Sequence, residues 1–86
     1  MSDEIAKGDI FVNAENGAWF RVVNVEDTAR KGRVVRFKVG TGVRKGMGYA
    51  AIAKLTAWRQ MSLPAGDFLL KMLSLSVIRK DIPVKP

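Results

Sequence analysis

Hydrophobic and polar residues alternate most regularly between Arg33 and Val39, where Val35, Phe37 and Val39 fall on one side of an extended chain and Arg36 and Lys38 on the other. A period of two is the signature of a half-buried strand. Two more strands precede it. Ile10-Phe11-Val12 follows Gly8-Asp9, and Ala18 to Val25 is rich in aromatic and β-branched residues, with Trp19, Phe20, Val22, Val23 and Val25. Between them, Asn13-Ala14-Glu15-Asn16-Gly17 reads as a hairpin turn, because Asn16 and Gly17 tolerate positive φ at low cost. Glu26 to Gly32 is expected to be a charged loop.

After Val39 the pattern changes. Gly40, Gly42, Gly46 and Gly48 fall within nine residues, which suits a mobile or sharply bent connection. Tyr49 to Met61 supports two readings. Its alanines favour a helix with Ala51, Leu55 and Trp58 on one face, whereas a period of two sets Leu55, Ala57 and Met61 against Lys54, Thr56, Trp58 and Gln60. The strand reading is adopted, because three strands need a fourth to cover a core. From about Ser62 to Ile78 the period becomes helical. Ser62 is placed to cap, Pro64 fits the first turn, and Phe68, Met72 and Leu75 form an i, i+4, i+7 stripe flanked by Leu69 and Leu73. Such a helix should be mostly buried, with Lys71 and Ser74 on a narrow polar face. Pro83 and Pro86 should end regular structure.

Eighty-six residues make one domain spanning 1–86, and 48% hydrophobic composition is enough for one modest core. The expected fold is mainly β, of the α+β class: a small SH3-like β-barrel or curled antiparallel sheet closed by a C-terminal helix. Its core should unite Ile10, Val12, Phe20, Val22, Val35, Phe37, Leu55, Phe68, Met72 and Leu75.

Charge is segregated along the chain. Between Thr28 and Gly66 there are nine Lys and Arg residues and no Asp or Glu, whereas the first 27 residues carry six acids against Lys7 and Arg21. An acid-free basic block attracts polyanions, and nucleic acid, DNA or RNA, is the leading partner. With Val35, Phe37 and Val39 inward, Arg36 and Lys38 face solvent together. Arg30, Lys31 and Arg33 lie at one end of that strand, and Arg44 and Lys45 beyond the other. If Phe20 and Val22 point inward, Trp19 and Arg21 point outward, and an exposed Trp beside an Arg can stack bases, each worth roughly 1–3 kcal/mol. The opposite register buries Trp19 with Val23 and Val25. A protein partner is the alternative, and pairing of the acidic first third with the basic middle would give a homodimer.

Catalysis is not expected. There is no His and no Cys, the four serines sit at the terminus, a cap and a helix, and the adjacent carboxylates Asp3/Glu4 and Glu26/Asp27 make no acid–base dyad. The absence of Cys excludes thiolate metal sites, and the absence of His removes the commonest remaining zinc ligand. The glycine-rich loop matches neither the phosphate-loop nor the dinucleotide spacing, so no cofactor is expected. Met1-Ser2-Asp3-Glu4 is acidic where a secretory signal is positive, and Phe68 to Ile78 is too short and too interrupted to span a bilayer. A cytoplasmic location without membrane contact is the expectation.

The succession Lys7-Gly8-Asp9-Ile10-Phe11, Asn16-Gly17-Ala18-Trp19-Phe20-Arg21-Val22-Val23-Asn24-Val25, Arg33-Val34-Val35-Arg36-Phe37 and Met61-Ser62-Leu63-Pro64 with Phe68 resembles small SH3-like domains of phage and mobile-element accessory proteins. The Gly40–Gly48 loop and the Ala-rich segment depart from that pattern. The resemblance implies a compact barrel and a mobile-element setting. The combined expectation is a non-enzymatic nucleic-acid-binding accessory protein, or alternatively a protein-interaction module such as a phage-encoded modulator of a host complex.

Overall fold

The computed structural model describes residues 5–30 and 32–79. The proposed role of Lys31 and the stop at Pro83 and Pro86 lie outside the described residues. Five antiparallel strands form a single sheet: β1 (Ile10–Asn13), β2 (Ala18–Thr28), β3 (Gly32–Gly40), β4 (Arg59–Pro64) and β5 (Ser76–Ile78). Their order is β4-β3-β2-β1-β5, and the sheet does not close into a barrel. Two short helices, α1 (Tyr49–Ala53) and α2 (Ala65–Met72), complete the fold.

The three expected strands are present, and β2 is longer than anticipated. Glu26, Asp27 and Thr28 belong to it and pair with Val34, Arg33 and Gly32, so the charged loop shrinks to the tip of the hairpin. The turn between β1 and β2 is held as its residues suggest. Asn13 Oδ1 accepts from the Glu15 N–H, Asn16 Oδ1 accepts from the Ala18 N–H, and Gly17 has φ of 75°.

Tyr49–Met61 divides between its two readings. The Ala-rich part forms α1, with Ile52 rather than Ala51 or Trp58 buried, and only the end of the segment enters β4. The C-terminal helix is shorter than expected. Ser62 does not cap it, because Ser62 lies in β4 opposite Arg36, and Pro64 takes the cap position with no side-chain bond. After Met72 the chain turns and Ser76–Ile78 pairs with β1 as β5. Backbone pairing along an otherwise open edge of β1 overrides the helical periodicity.

The expected single core is two cores, one on each face of the sheet. On the first face, Phe11, Val22, Val35, Phe37 and Val39 pack against Phe68 and Met72 of α2, with Phe20 and Leu75 at the margin. All four phenylalanines meet there. Phe68 stands edge-on to Phe11 at 5.3 Å and tilted on Phe37 at 4.9 Å, and Phe20 lies 6.1 Å from Phe37. On the second face, Ile10, Val12 and Trp19 pack against Ile52 of α1, and Val43, Met47, Leu55 and Ile78 enclose them. Strand β1 is therefore buried on both sides. A bulge at Val23 re-phases β2, because Val22 opposes Phe37 while Asn24 opposes Arg36. Val22 and Val25 both reach the first face as a result, which strict alternation forbids.

Candidate functional site

The second face of the sheet is divided. Over β5, β1 and the start of β2 it is covered by α1 and the Gly40–Gly48 loop; over the rest of β2, β3 and β4 it carries polar side chains and, among the described residues, no helix. The ladder sets these in rows, since directly opposed residues of antiparallel strands share a face. Arg21, Lys38 and Gln60 form one row, and Asn24, Arg36 and Ser62 form the next. Glu26 is the acid in this patch. Its Oε2 accepts from Asn24 Nδ2 at 3.0 Å and pairs with Arg36 Nε at 3.4 Å. A shallow depression of about 210 Å³ opens between Arg36, Gln60, Met61 and Ser62 on the edge strand.

Arg36 is exposed and Lys38 is partly exposed, as the alternation requires. Arg21 is held rather than free. Its Nη1 donates to the Ala53 carbonyl at the end of α1 at 2.9 Å, and its guanidinium lies 5.7 Å from the centre of the Trp19 ring. That geometry gives a cation–π contact and satisfies a terminal helix carbonyl in one residue.

Trp19 is not a stacking platform. It has no exposed surface, and its Nε1 donates to the Thr41 carbonyl at 3.2 Å. It does point to the face opposite Phe20, but α1 and the glycine-rich loop cover that face. The exposed aromatic is Trp58, 61% accessible, beside Arg59 at the start of β4, with its N–H bonded to the Val39 carbonyl. Sequence reasoning passed over Trp58 as part of an ambiguous segment. The signal that could have found it is its position next to Arg59 at the foot of an edge strand.

The acid-free block in sequence is not acid-free in space. The β2–β3 hairpin brings Asp27 to Arg33 at 3.0 Å and Glu26 to Arg36, so two of the nominated cations are neutralised by the acids just upstream. Arg30 is exposed at the hairpin tip. Arg44 and Lys45 lie away from the β3 row, over Val12 and Ile78 at the β1–β5 end of the same face. Among the described residues, Arg30, Lys38, Arg44, Lys45, Lys54 and Arg59 make no ion pair.

Arg44 and Lys45 border a cleft of about 390 Å³ whose remaining lining, among the described residues, is apolar: Val12, Ala14, Val43, Met47, Ile52 and Ile78. The loop above it is tied down by the Val43 N–H on the Gly17 carbonyl, at 3.1 Å, and turns at Gly42 and Gly46, with φ of 105° and 90°. The one buried carboxylate among the described residues, Asp9, accepts from the Ala6 N–H at 3.1 Å and pairs with Arg79 at 3.4 Å. Those are the bonds of a structural tie between the N-terminal turn and the end of β5. Among the described residues no three His, Cys, Asp or Glu side chains converge as a metal site, and no helix is long and apolar enough to cross a membrane.

Comparison with protein-family models, with curated proteins and with solved structures finds no match to this chain.

Proposed function

We propose that this protein is a non-enzymatic nucleic-acid-binding accessory protein that uses the uncovered half of its sheet. The observation that carries this reading is the pair of rows Arg21–Lys38–Gln60 and Asn24–Arg36–Ser62, cations beside amides and a hydroxyl that, beyond Arg21 at the end of α1, no helix covers among the described residues. Lys38, which makes no ion pair among the described residues, supplies a phosphate contact, and Arg36 supplies one by exchanging its partly exposed Glu26 partner for a phosphate; Gln60, Ser62 and Asn24 supply neutral hydrogen bonds. Trp58 offers an exposed ring at the end of the same edge strand, which suits stacking of an unpaired base. Arg30, Arg44 and Lys45 add to the field that steers a polyanion inward.

The test is a titration of wild type and two double variants, Arg36→Ala/Lys38→Ala and Arg44→Ala/Lys45→Ala, with mixed-sequence single- and double-stranded oligonucleotides over a range of salt. For every phosphate that a variant no longer neutralises, the slope of log affinity against log salt should become shallower by about 0.7–0.9, the lower figure for single strands. The strand variant should weaken binding, and Trp58→Ala should weaken single-strand binding selectively. Absence of binding by wild type at low salt would refute the proposal.

A second reading, a protein-interaction module, is supported by α2. Its outer side carries Leu69, Leu70 and Leu73, the last two 69% and 76% exposed, where a solvated helix would carry polar residues. Docking through these leucines would be nearly insensitive to salt, and the oligonucleotide titration separates the two.

A further inference from the structure

We infer that the cleft under the glycine-rich loop binds a small amphipathic anion, an unbranched or lightly branched alkyl chain ending in a carboxylate or phosphate. The lining divides by chemistry. Val12, Val43, Ile52 and Ile78 offer only aliphatic surface to a ligand, and the Met47 sulfur already accepts from the Arg44 N–H at 3.0 Å. A polar ligand body would lose its water there and gain nothing in return. Among the described residues, the polar side chains at the rim are Arg44 and Lys45, neither is in an ion pair, and no acid lines the cleft. A cationic or neutral head would leave both without a partner, whereas an anionic head is matched by two donors.

Size points the same way. At about 390 Å³ the cleft falls within the range of small-molecule sites, roughly 300–1,000 Å³, and is far larger than one protein side chain needs. Among the described residues the lining is also free of aromatic rings, so a flat base or sugar ring finds no stacking partner in it. Gly42 and Gly46 flank the two cations and hold backbone conformations that side-chain-bearing residues rarely adopt. They let the loop turn back over Val12 and Ile78 and bring Arg44 and Lys45 to the rim.

Decanoate below its micelle concentration is the probe, with decanol and decyltrimethylammonium as controls, followed by methyl NMR of the intact protein. Saturable shifts of the Val12, Val43, Ile52 and Ile78 methyls with decanoate, and weaker or absent shifts with both controls, support the site. Arg44→Ala/Lys45→Ala should reduce decanoate affinity by about threefold to tenfold, as two exposed charge contacts would. Ala14→Leu, a change at an exposed turn position lining the cleft, should reduce it by narrowing the apolar space and leave thermal stability unchanged. Flotation with phosphatidylglycerol vesicles distinguishes a lipid source from a free anion: flotation that decanoate blocks assigns the cleft to lipid, and decanoate binding without flotation assigns it to a free ligand. Methyl shifts elsewhere only, or equal affinity for decanoate and decanol, would overturn the inference. No nucleic acid enters this experiment, so its outcome is independent of the nucleic-acid reading.

Discussion

Replacing Gly40 by alanine tests the packing of the second face through the sign of a single number. Gly40 ends β3 directly opposite Trp19, and its backbone is one that alanine can adopt. An added Cβ would lie 2.6 Å from Trp19 Cε2 and 2.8 Å from Nε1, and closer still to Cζ2. The indole cannot move aside without cost, since it is fully buried among Ile10, Val12 and Ile52 and bonded to the Thr41 carbonyl. If Trp19 faced solvent instead, Gly40→Ala would raise stability by about 0.4–1 kcal/mol by restricting the unfolded chain. With the ring packed on Gly40, overpacking of about 1–3 kcal/mol wins. In a domain of this size that lowers Tm by about 5–20 °C. Thermal unfolding followed by far-ultraviolet circular dichroism reads it, because that signal survives removal of the tryptophan. Trp19→Val completes the cycle: once the ring is gone, Gly40→Ala should become neutral or stabilising, a coupling of about 2 kcal/mol. The same effect of Gly40→Ala in both backgrounds, or a rise in Tm in wild type, would refute the packing described here.

Phe37→Ala should cost roughly 3–5 kcal/mol in urea unfolding, because the side chain is fully buried between Phe20 and Phe68, whereas Arg36→Ala gives up only a half-exposed ion pair, about 1 kcal/mol or less. Equal losses would mean that the β3 register is wrong. Gly17→Ala should destabilise by more than about 1 kcal/mol, since φ is 75° and the new Cβ would sit 3.0 Å from the Val43 carbonyl oxygen; an unchanged Tm would contradict this. Asp9→Ala removes the acceptor for the Ala6 N–H and for Arg79 and should cost about 1–3 kcal/mol, read as a lower denaturation midpoint with an unchanged m-value.

Short-range pattern was enough to locate β1, β2 and β3, because a period of two and the Asn16-Gly17 turn are properties of neighbouring residues. It was also enough to pair Phe68 with Met72 on one helical face and to set Arg36 and Lys38 opposite Val35 and Phe37. The candidate site was legible to the same degree: the β3 cations were found, and their rows with Gln60 and Ser62 were not, since those depend on β4 pairing with β3 from more than twenty residues away.

What the tertiary structure alone decided is which surfaces are covered. Periodicity reports burial on one side only, so it could not foresee that α1 and α2 cover opposite faces, that Phe11 and Trp19 are buried together with Ile10 and Val12, or that the bulge at Val23 exchanges the faces of β2. Trp19, whose register local pattern left open, is buried and Trp58 is exposed for the same reason. Charge behaves likewise. The basic block is a fact of the linear chain, but a hairpin folds Glu26 and Asp27 onto Arg36 and Arg33, and electrostatic attraction depends on distance in space rather than on separation along the sequence.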